Sequence, residues 1–204
     1  MALPRTQRLS FETREERILE AAGRLFARLG YRGTTTRAIA EAAEVNEALL
    51  FRHFASKEEL YDAFLNRTLE EWNREVLPTL EEFRKLPIHQ ALTEIARVIV
   101  GRMREDPRLV RTMVFASLED ARFGKLFFSK RLPLREFFKS FFKERQERGE
   151  IRKEDPAMLA TTYLSLVFYY IHIHEVLGVD DFYPRGELAT LDFFAGVFLK
   201  GVSP

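Results

Sequence analysis

Apolar residues recur at three- and four-residue spacing along nearly the whole chain, and no sustained alternation of β-branched residues interrupts them. That period suits helices packed on helices, so an all-α fold is expected. The 204 residues allow one large domain or two modest ones. With 46% hydrophobic and 31% charged residues, the chain is neither disordered nor fibrous in composition. It contains no cysteine, which excludes disulfides, thiolate zinc sites and cysteine nucleophiles. The opening MALPRTQRLSFETREERILEAA lacks the apolar run of a signal peptide, so a cytoplasmic location is expected.

Local signals divide the first sixty residues into short helices. Residues 1–10 carry Arg5 and Arg8 without an acid and read as a basic arm. Thr13 and Glu16 have capping-box spacing. Ile18, Ala21, Ala22, Leu25, Phe26 and Leu29 then form one stripe, which Gly30 stops. A second helix is expected after Thr35 or Thr36, with Ile39, Ala40 and Ala43 inward, and a third from an Asn46 cap to Phe54, burying Val45, Leu50 and Phe54. Ser56-Lys57-Glu58-Glu59 is another capping box, opening a longer helix expected to end before Pro78. Beyond it, Pro78, Pro87, Pro107, Pro133, Gly149, Pro156, Gly178 and Pro184 separate further helices. Ala157 to His174 contains no Lys, Arg, Asp or Glu, but includes Thr161, Thr162, Ser165 and two histidines. A membrane span needs ~20 predominantly apolar residues, so a helix buried on several sides is the better reading.

Charge is unevenly spread. Residues 122–153 hold eleven Lys/Arg against four Asp/Glu, whereas residues 154–204 hold two against seven. The basic stretch is laced with Phe. Arginine outnumbers lysine 24 to 8, a bias that, with few Asn and Gln and no Cys, hints at a thermophilic source.

Three helices with a tight turn between the second and third outline either a helix-turn-helix unit or a plain three-helix bundle. The residues separate the two. Arg17-Ile18-Leu19-Glu20-Ala21-Ala22, Leu25-Phe26, Gly30-Tyr31, Thr34-Thr35-Thr36, Ile39-Ala40, Val45, Leu50-Phe51-Arg52-His53-Phe54 and Ser56-Lys57-Glu58-Glu59-Leu60 resemble, in identity and spacing, the DNA-binding domain of the TetR family of transcriptional regulators. The resemblance covers about residues 13–60. It implies an N-terminal DNA-binding domain over 1–60 and a helical ligand-binding and dimerisation domain over 61–204.

The resemblance also implies roles. Thr36 would bond a phosphate, and Arg37 would read a base edge, guanine most naturally. Asn46 would cap the recognition helix. In its first turn Glu47 would accept from cytosine, while Ala48 or Leu49 would touch a thymine methyl. His53 and Lys57 match phosphate-contacting positions, and Arg52 adds charge beside them. Without the resemblance, Arg37 reads as a surface pair with Glu41, and His53 as a helix-terminal histidine. Three departures stand out. Glu44 occupies a turn position usually Gly, at a cost on the order of 1 kcal/mol if left-handed. Phe51 replaces the usual Tyr and lacks its hydroxyl. Ala48 stands where Gly is common.

Operator binding by such a unit takes two copies related by a two-fold axis. In the resembling family the last two long helices supply the dimer, here about Asp155 to Leu177 and Arg185 to Lys200. Leu164, Leu166, Tyr170, Ile173, Leu191, Phe194, Val197 and Phe198 are the expected contacts. The family's inducer pocket directs attention to Met113, Phe115, Phe123, Phe127, Phe128, Phe137, Phe138, Phe141, Tyr163, Phe168 and Tyr169, although an aromatic stripe is usually packing. Beside the basic stretch, such a pocket suits an amphipathic anion such as a fatty acid or acyl-CoA. The other reading is a solvated basic face.

No metal, cofactor or enzyme activity is expected. His172 and Glu175 share a helix face, but His172 and His174 do not, which leaves a metal set incomplete. The chain carries no phosphate loop, dinucleotide fingerprint or nucleophile elbow. The expected function is ligand-responsive transcriptional regulation by a homodimer on double-stranded DNA, most often repression. The alternative is a helical carrier of hydrophobic ligands that has lost sequence-specific DNA binding.

Overall fold

The computed structural model describes residues 11–119 and 132–203. The basic arm and Phe123, Phe127 and Phe128 lie outside the described residues. Among those described, every regular element is a helix.

Helix α1 (Phe11–Gly33) starts before Thr13, so the expected capping box falls inside it. Its helical phase breaks at Gly30, where φ is 72° and ψ 177°, a region essentially reserved for glycine. Ile18, Ala21, Ala22, Leu25 and Phe26 are buried as the stripe requires. Leu29, assigned to the same stripe, is 40% exposed. After the break Tyr31 closes the stripe instead, its ring stacked on Phe26 at 6.1 Å.

Helices α2 (Thr36–Ala42) and α3 (Glu47–His53) follow, each with a side-chain cap. Thr35 Oγ1 accepts from Ala38 N at 3.1 Å, and Asn46 Oδ1 from Leu49 N at 2.7 Å. Ile39, Ala40, Ala43, Leu50 and Phe54 are buried against α1 and the start of α4 (Lys57–Glu82). Ser56 caps α4 by accepting from Glu59 N, and the Glu59 carboxylate returns to Ala55 N at 2.7 Å. A Cβ at Gly23 would stand 2.6 Å from the Phe64 ring, so α1 and α4 meet more closely than any other residue permits.

The α4 helix runs on through Pro78 to Glu82 instead of ending before it. Pro78 and Arg74 are both exposed, so water can serve the carbonyl that proline leaves without a donor. A short 3₁₀ turn leads to α5 (Ile88–Glu105) and α6 (Arg108–Glu119). The remaining helices are α7 (Leu132–Glu147), α8 (Pro156–Ile171), a π-helical turn over His172–Val176, and α9 (Glu187–Gly201). They enclose a Phe-rich core in which Phe137, Phe138, Phe141, Phe142, Tyr163 and Phe198 touch ring to ring. Tyr163 is fully buried and donates to Leu92 O at 2.9 Å. Arg145 is also buried, donating to Glu150 and to the carbonyls of Arg84 and Leu86 with its guanidinium over the Phe141 ring.

The segment Pro156–Val176 is long and apolar enough to cross a membrane by length and composition alone. In this fold Leu159, Tyr163, Val167, Tyr170 and Ile171 bury one side of it in the core.

Candidate nucleic-acid interface

The turn between α2 and α3 carries the one left-handed residue other than glycine among the described residues, Glu44 at φ 56°. Its carboxylate receives Arg17 Nη2 from α1. An ion pair across α1 thus offsets part of the backbone cost of placing a glutamate there.

This turn sets the N-terminal end of α3 at the surface. Asn46, Glu47 and Ala48 are exposed, Leu49 is half-buried, and Phe51 (46%) and Arg52 are exposed on the next turn. Arg37 stands out from α2 with 81% of its side chain exposed and pairs with Glu41 at 3.0 Å. The surface pair expected without the resemblance is therefore present. So exposed a pair contributes little to stability, and the guanidinium can exchange it for a ligand. Thr36 Oγ1 donates to the Glu47 carboxylate, tying the start of α2 to the start of α3. For the Thr36 hydroxyl to donate to a phosphate, that bond has to open.

Two expected phosphate contacts are turned inward. Lys57 Nζ donates to Tyr31 O and Thr34 O, both at 3.0 Å, and lies 4.1 Å from the centre of the Tyr31 ring. It holds the α1–α2 connection to the start of α4. The His53 side chain has no solvent exposure, and its Nδ1 is 3.9 Å from Glu15 Oε2. The Glu58 carboxyl is held below its ordinary pKa, first by the Tyr31 hydroxyl and then by its own backbone N–H.

A second grip on the reader comes from α6. Glu119 Oε2 accepts from Tyr31 N at 2.8 Å and from Arg32 N at 3.2 Å. Phe115, one turn earlier, packs on Gly30, where a Cβ would fall 3.0 Å from its ring and 2.1 Å from Glu119 Oε1. At the other end of α6, Arg108 reaches Glu20 of α1 at 2.8 Å and Asp106 at 2.7 Å. Burial alone would raise the Asp106 pKa, but the Arg108 hydrogen bonds and charge outweigh it and leave it lowered. Neither Glu119 nor Arg108 was singled out by sequence. Their partners lie 88 residues away, and no local pattern signals them.

The residues expected to line a ligand pocket are spread, where described, between the core and the surface. Phe137, Phe138, Phe141 and Tyr163 fill the core. Phe168 is half-buried and Tyr169 is 54% exposed on the outer side of α8. Met113 and Phe115 are half-buried on α6. A cavity of about 10 Å³ lies elsewhere, between α4, α5, α6 and α7, lined by Leu69, Trp72, Asn73, Met103, Leu109 and Leu134. Among the described basic residues of this stretch, Lys139 on α7 pairs with Glu136, and Arg148 just beyond α7 pairs with Glu144.

The expected dimer contacts are also redistributed. Tyr170, Ile173, Leu191, Phe194 and Phe198 are buried within the chain itself, and Leu164 and Leu166 are half-buried. Val197 is 51% exposed. With it, Met158, Tyr169, Leu188 and Phe193 give α8 and α9 an apolar outer face. Beside Phe193 and Val197 an open groove of about 470 Å³ carries His89, Arg185, Asp192 and Lys200. At the π turn, Glu175 is taken by Arg104, and His174 Nδ1 lies 3.8 Å from Asp180. No group of three metal-ligating side chains forms among the described residues.

Comparison with known proteins decides the class. The model of bacterial regulatory proteins of the tetR family matches residues 18–64. The model of the AefR-like transcriptional repressor C-terminal domain matches residues 79–191, more than half of the chain. The chain belongs to the TetR family. It is a DNA-binding transcriptional regulator of the helix-turn-helix type. It is 27% identical over 191 residues to YvkB of Bacillus subtilis, an uncharacterized HTH-type transcriptional regulator, covering 92% of this chain and 96% of that one. Among solved structures, FadR of Bacillus subtilis in complex with stearoyl-CoA superposes with a TM-score of 0.76 at 14% identity, over 91% of this chain and 98% of that one. AibR in complex with isovaleryl coenzyme A and operator DNA superposes at 0.67 and 22% identity, over 90% and 97%. At those identities the likeness is one of fold.

Proposed function

We propose that this TetR-family regulator is a repressor that binds a palindromic operator as a homodimer and leaves it when a small apolar or amphipathic ligand binds. The division of labour falls near residue 60. Helices α1–α3 read DNA, and the helices from α4 onward sense the ligand and join the two copies. The observation that carries this reading is the Glu119 carboxylate on the Tyr31 and Arg32 N–H groups, because it joins a sensor helix directly to the reader. A ligand that shifts α6 changes the position of α1 and the α1–α2 connection, and through them the pose of α3. Coupling of this kind is typically worth 1–3 kcal/mol.

On the reader, Arg37, Glu47, Ala48 and Leu49 are the base-facing group, with Phe51 and Arg52 beside them. Thr36 turns from Glu47 to phosphate on binding. Lys57 and His53 support the reader from within, and Asn46 fixes the start of its recognition helix. A homodimer is supported by the apolar outer face of α8 and α9, where Met158, Tyr169, Leu188, Phe193 and Val197 are all more than half exposed. Acyl-CoA ligands in the two structural neighbours make an acyl chain a natural first class to test.

Sedimentation of the native protein and of the Phe193→Glu, Val197→Glu double variant tests the assembly. The native chain should sediment as a dimer. The variant should be a folded monomer with at least ~10³-fold weaker operator binding, in the range that separates specific from non-specific affinity. A native monomer, or a variant that stays dimeric, contradicts this interface. The inward Lys57 and His53 keep one second reading in view, a ligand carrier without an operator, which predicts tight ligand binding and no sequence selection.

A further inference from the structure

The small cavity between α4, α5, α6 and α7 is lined by a buried donor that the fold itself does not use. Trp72 on α4 lines it, is 6% exposed, and its Nε1 is buried with no hydrogen-bond acceptor among the described residues. On the α6 side, one turn after the lining residue Leu109, Thr112 Oγ1 is likewise buried and without a partner. Buried donors in native proteins nearly always find an acceptor, and those that do not commonly await an unseen one. An indole N–H donates only, so the missing group must be an acceptor.

The surroundings define which acceptor. Leu69, Met103, Leu109 and Leu134 make most of the wall apolar, Asn73 is its other polar residue, and no charged side chain is among the described residues that line it. Two cations on the adjoining turns are already paired, Arg102 to Glu75 at 2.8 Å and Arg108 to Asp106 and Glu20. A carboxylate entering here would lose its hydration without gaining a counter-charge, whereas a neutral carbonyl oxygen would lose little and gain a bond. At about 10 Å³ the space holds a single water or a carbonyl oxygen, so a longer ligand has to part the helices. One of those helices is α6, which carries Glu119 to the reader.

We propose that Trp72 is the polar anchor of the effector site, donating its indole N–H to the neutral carbonyl oxygen of an otherwise apolar ligand, such as a ketone, ester or thioester, seated against Leu69, Met103 and Leu109. This rests on the ligand-responsive function proposed above and names the chemistry its site selects.

Trp72 is the single tryptophan of the chain, so ¹⁵N-labelled protein gives one indole N–H resonance. The test titrates it with 2-octanone, with 2-methyl-1-octene (the same skeleton without the oxygen) and with octanoate. The anchor predicts a saturable downfield proton shift with the ketone and neither of the others. Calorimetry should then show Trp72→Phe weakening the ketone by about five- to tenfold while leaving the alkene unchanged. An equal response to the alkene, a preference for octanoate, or an indole that contacts a bound water and ignores every probe overturns the proposal. The native titration decides even where the variant does not fold. A failed titration in a protein that still selects an operator removes the anchor alone. A ketone-dependent shift in a protein that selects none keeps the anchor and removes the regulator.

Discussion

The N-terminal reader and the C-terminal region proposed as its sensor are both helical but are held together differently. The reader is short helices with side-chain caps at Thr35, Asn46 and Ser56, each bonding a backbone N–H three residues on. The sensor is longer helices around a continuous aromatic core, with Tyr163 and Arg145 serving carbonyls far away in sequence. Local bonds and Lys57 set the reader's internal shape, whereas Glu119 of α6 grips it from outside, against Gly30. A small domain buries too little surface to be rigid alone, and here the larger one lends it that rigidity. What moves α6 therefore reaches the DNA-facing helices through a handful of named atoms.

The strongest test of that division is Gly30→Ala. The backbone there is strained for any other residue, and the new Cβ would strike the Glu119 carboxylate. We expect a loss of about 3 kcal/mol in chemical denaturation, with hydrogen exchange rising in α1–α3 far more than in α8. Uniform loss of protection would mean that the two regions form one cooperative unit. Lys57→Ala comes next. Losing a charged donor to two carbonyls should cost about 2 kcal/mol of stability, and DNA affinity should fall only as the reader loosens. A phosphate contact instead predicts an unchanged melting temperature and a flatter dependence of binding on salt.

Arg37→Ala inverts that pattern. Its exposed pair with Glu41 contributes little to stability, so melting should stay within about 0.5 kcal/mol. Operator affinity should drop by ~1–3 kcal/mol with relaxed choice at one base pair, as competition binding against base-substituted sites would read. On the sensor side, burial raises the pKa of the Tyr163 hydroxyl above its ordinary value of 10.0. The neutral form is therefore favoured in the folded state. Its stability is complete below pH 10 and is lost as pH climbs from there toward the raised value. Circular dichroism should show alkaline unfolding that begins in this domain, and Tyr163→Phe should move its onset. The smallest effect belongs to Glu44→Gly. It relieves a left-handed residue worth about 1 kcal/mol but gives up the Arg17 pair, leaving a net gain under about 1 kcal/mol in denaturant midpoint.

How much of this was readable beforehand follows the same divide. Caps at Thr35, Asn46 and Ser56, the break at Gly30 and the left-handed Glu44 depend on neighbours within a few residues, so sequence exposes them. The directions of Lys57, His53 and Glu119 depend on partners 26, 38 and 88 residues away, which no periodicity encodes. Position alone made Lys57 and His53 outward phosphate contacts, and tertiary packing turned them in. The apolar helices failed for another reason. With Met158 and Tyr169 on one side of α8 and Tyr163 and Val167 on the other, both faces are hydrophobic, and period alone cannot say which meets the core. Of the aromatic residues suggested for the pocket, Phe137, Phe138, Phe141 and Tyr163 lie in the core, while Trp72, which sequence did not single out, lines the cavity.

The central claim, a dimeric DNA reader whose pose is set by the sensor, is most directly tested by selecting bound fragments from genomic DNA with the purified protein at ~150 mM salt. The account predicts enrichment of one inverted repeat with half-sites about one helical turn apart or a multiple of it. Binding that is blind to sequence and vanishes with added salt would contradict it.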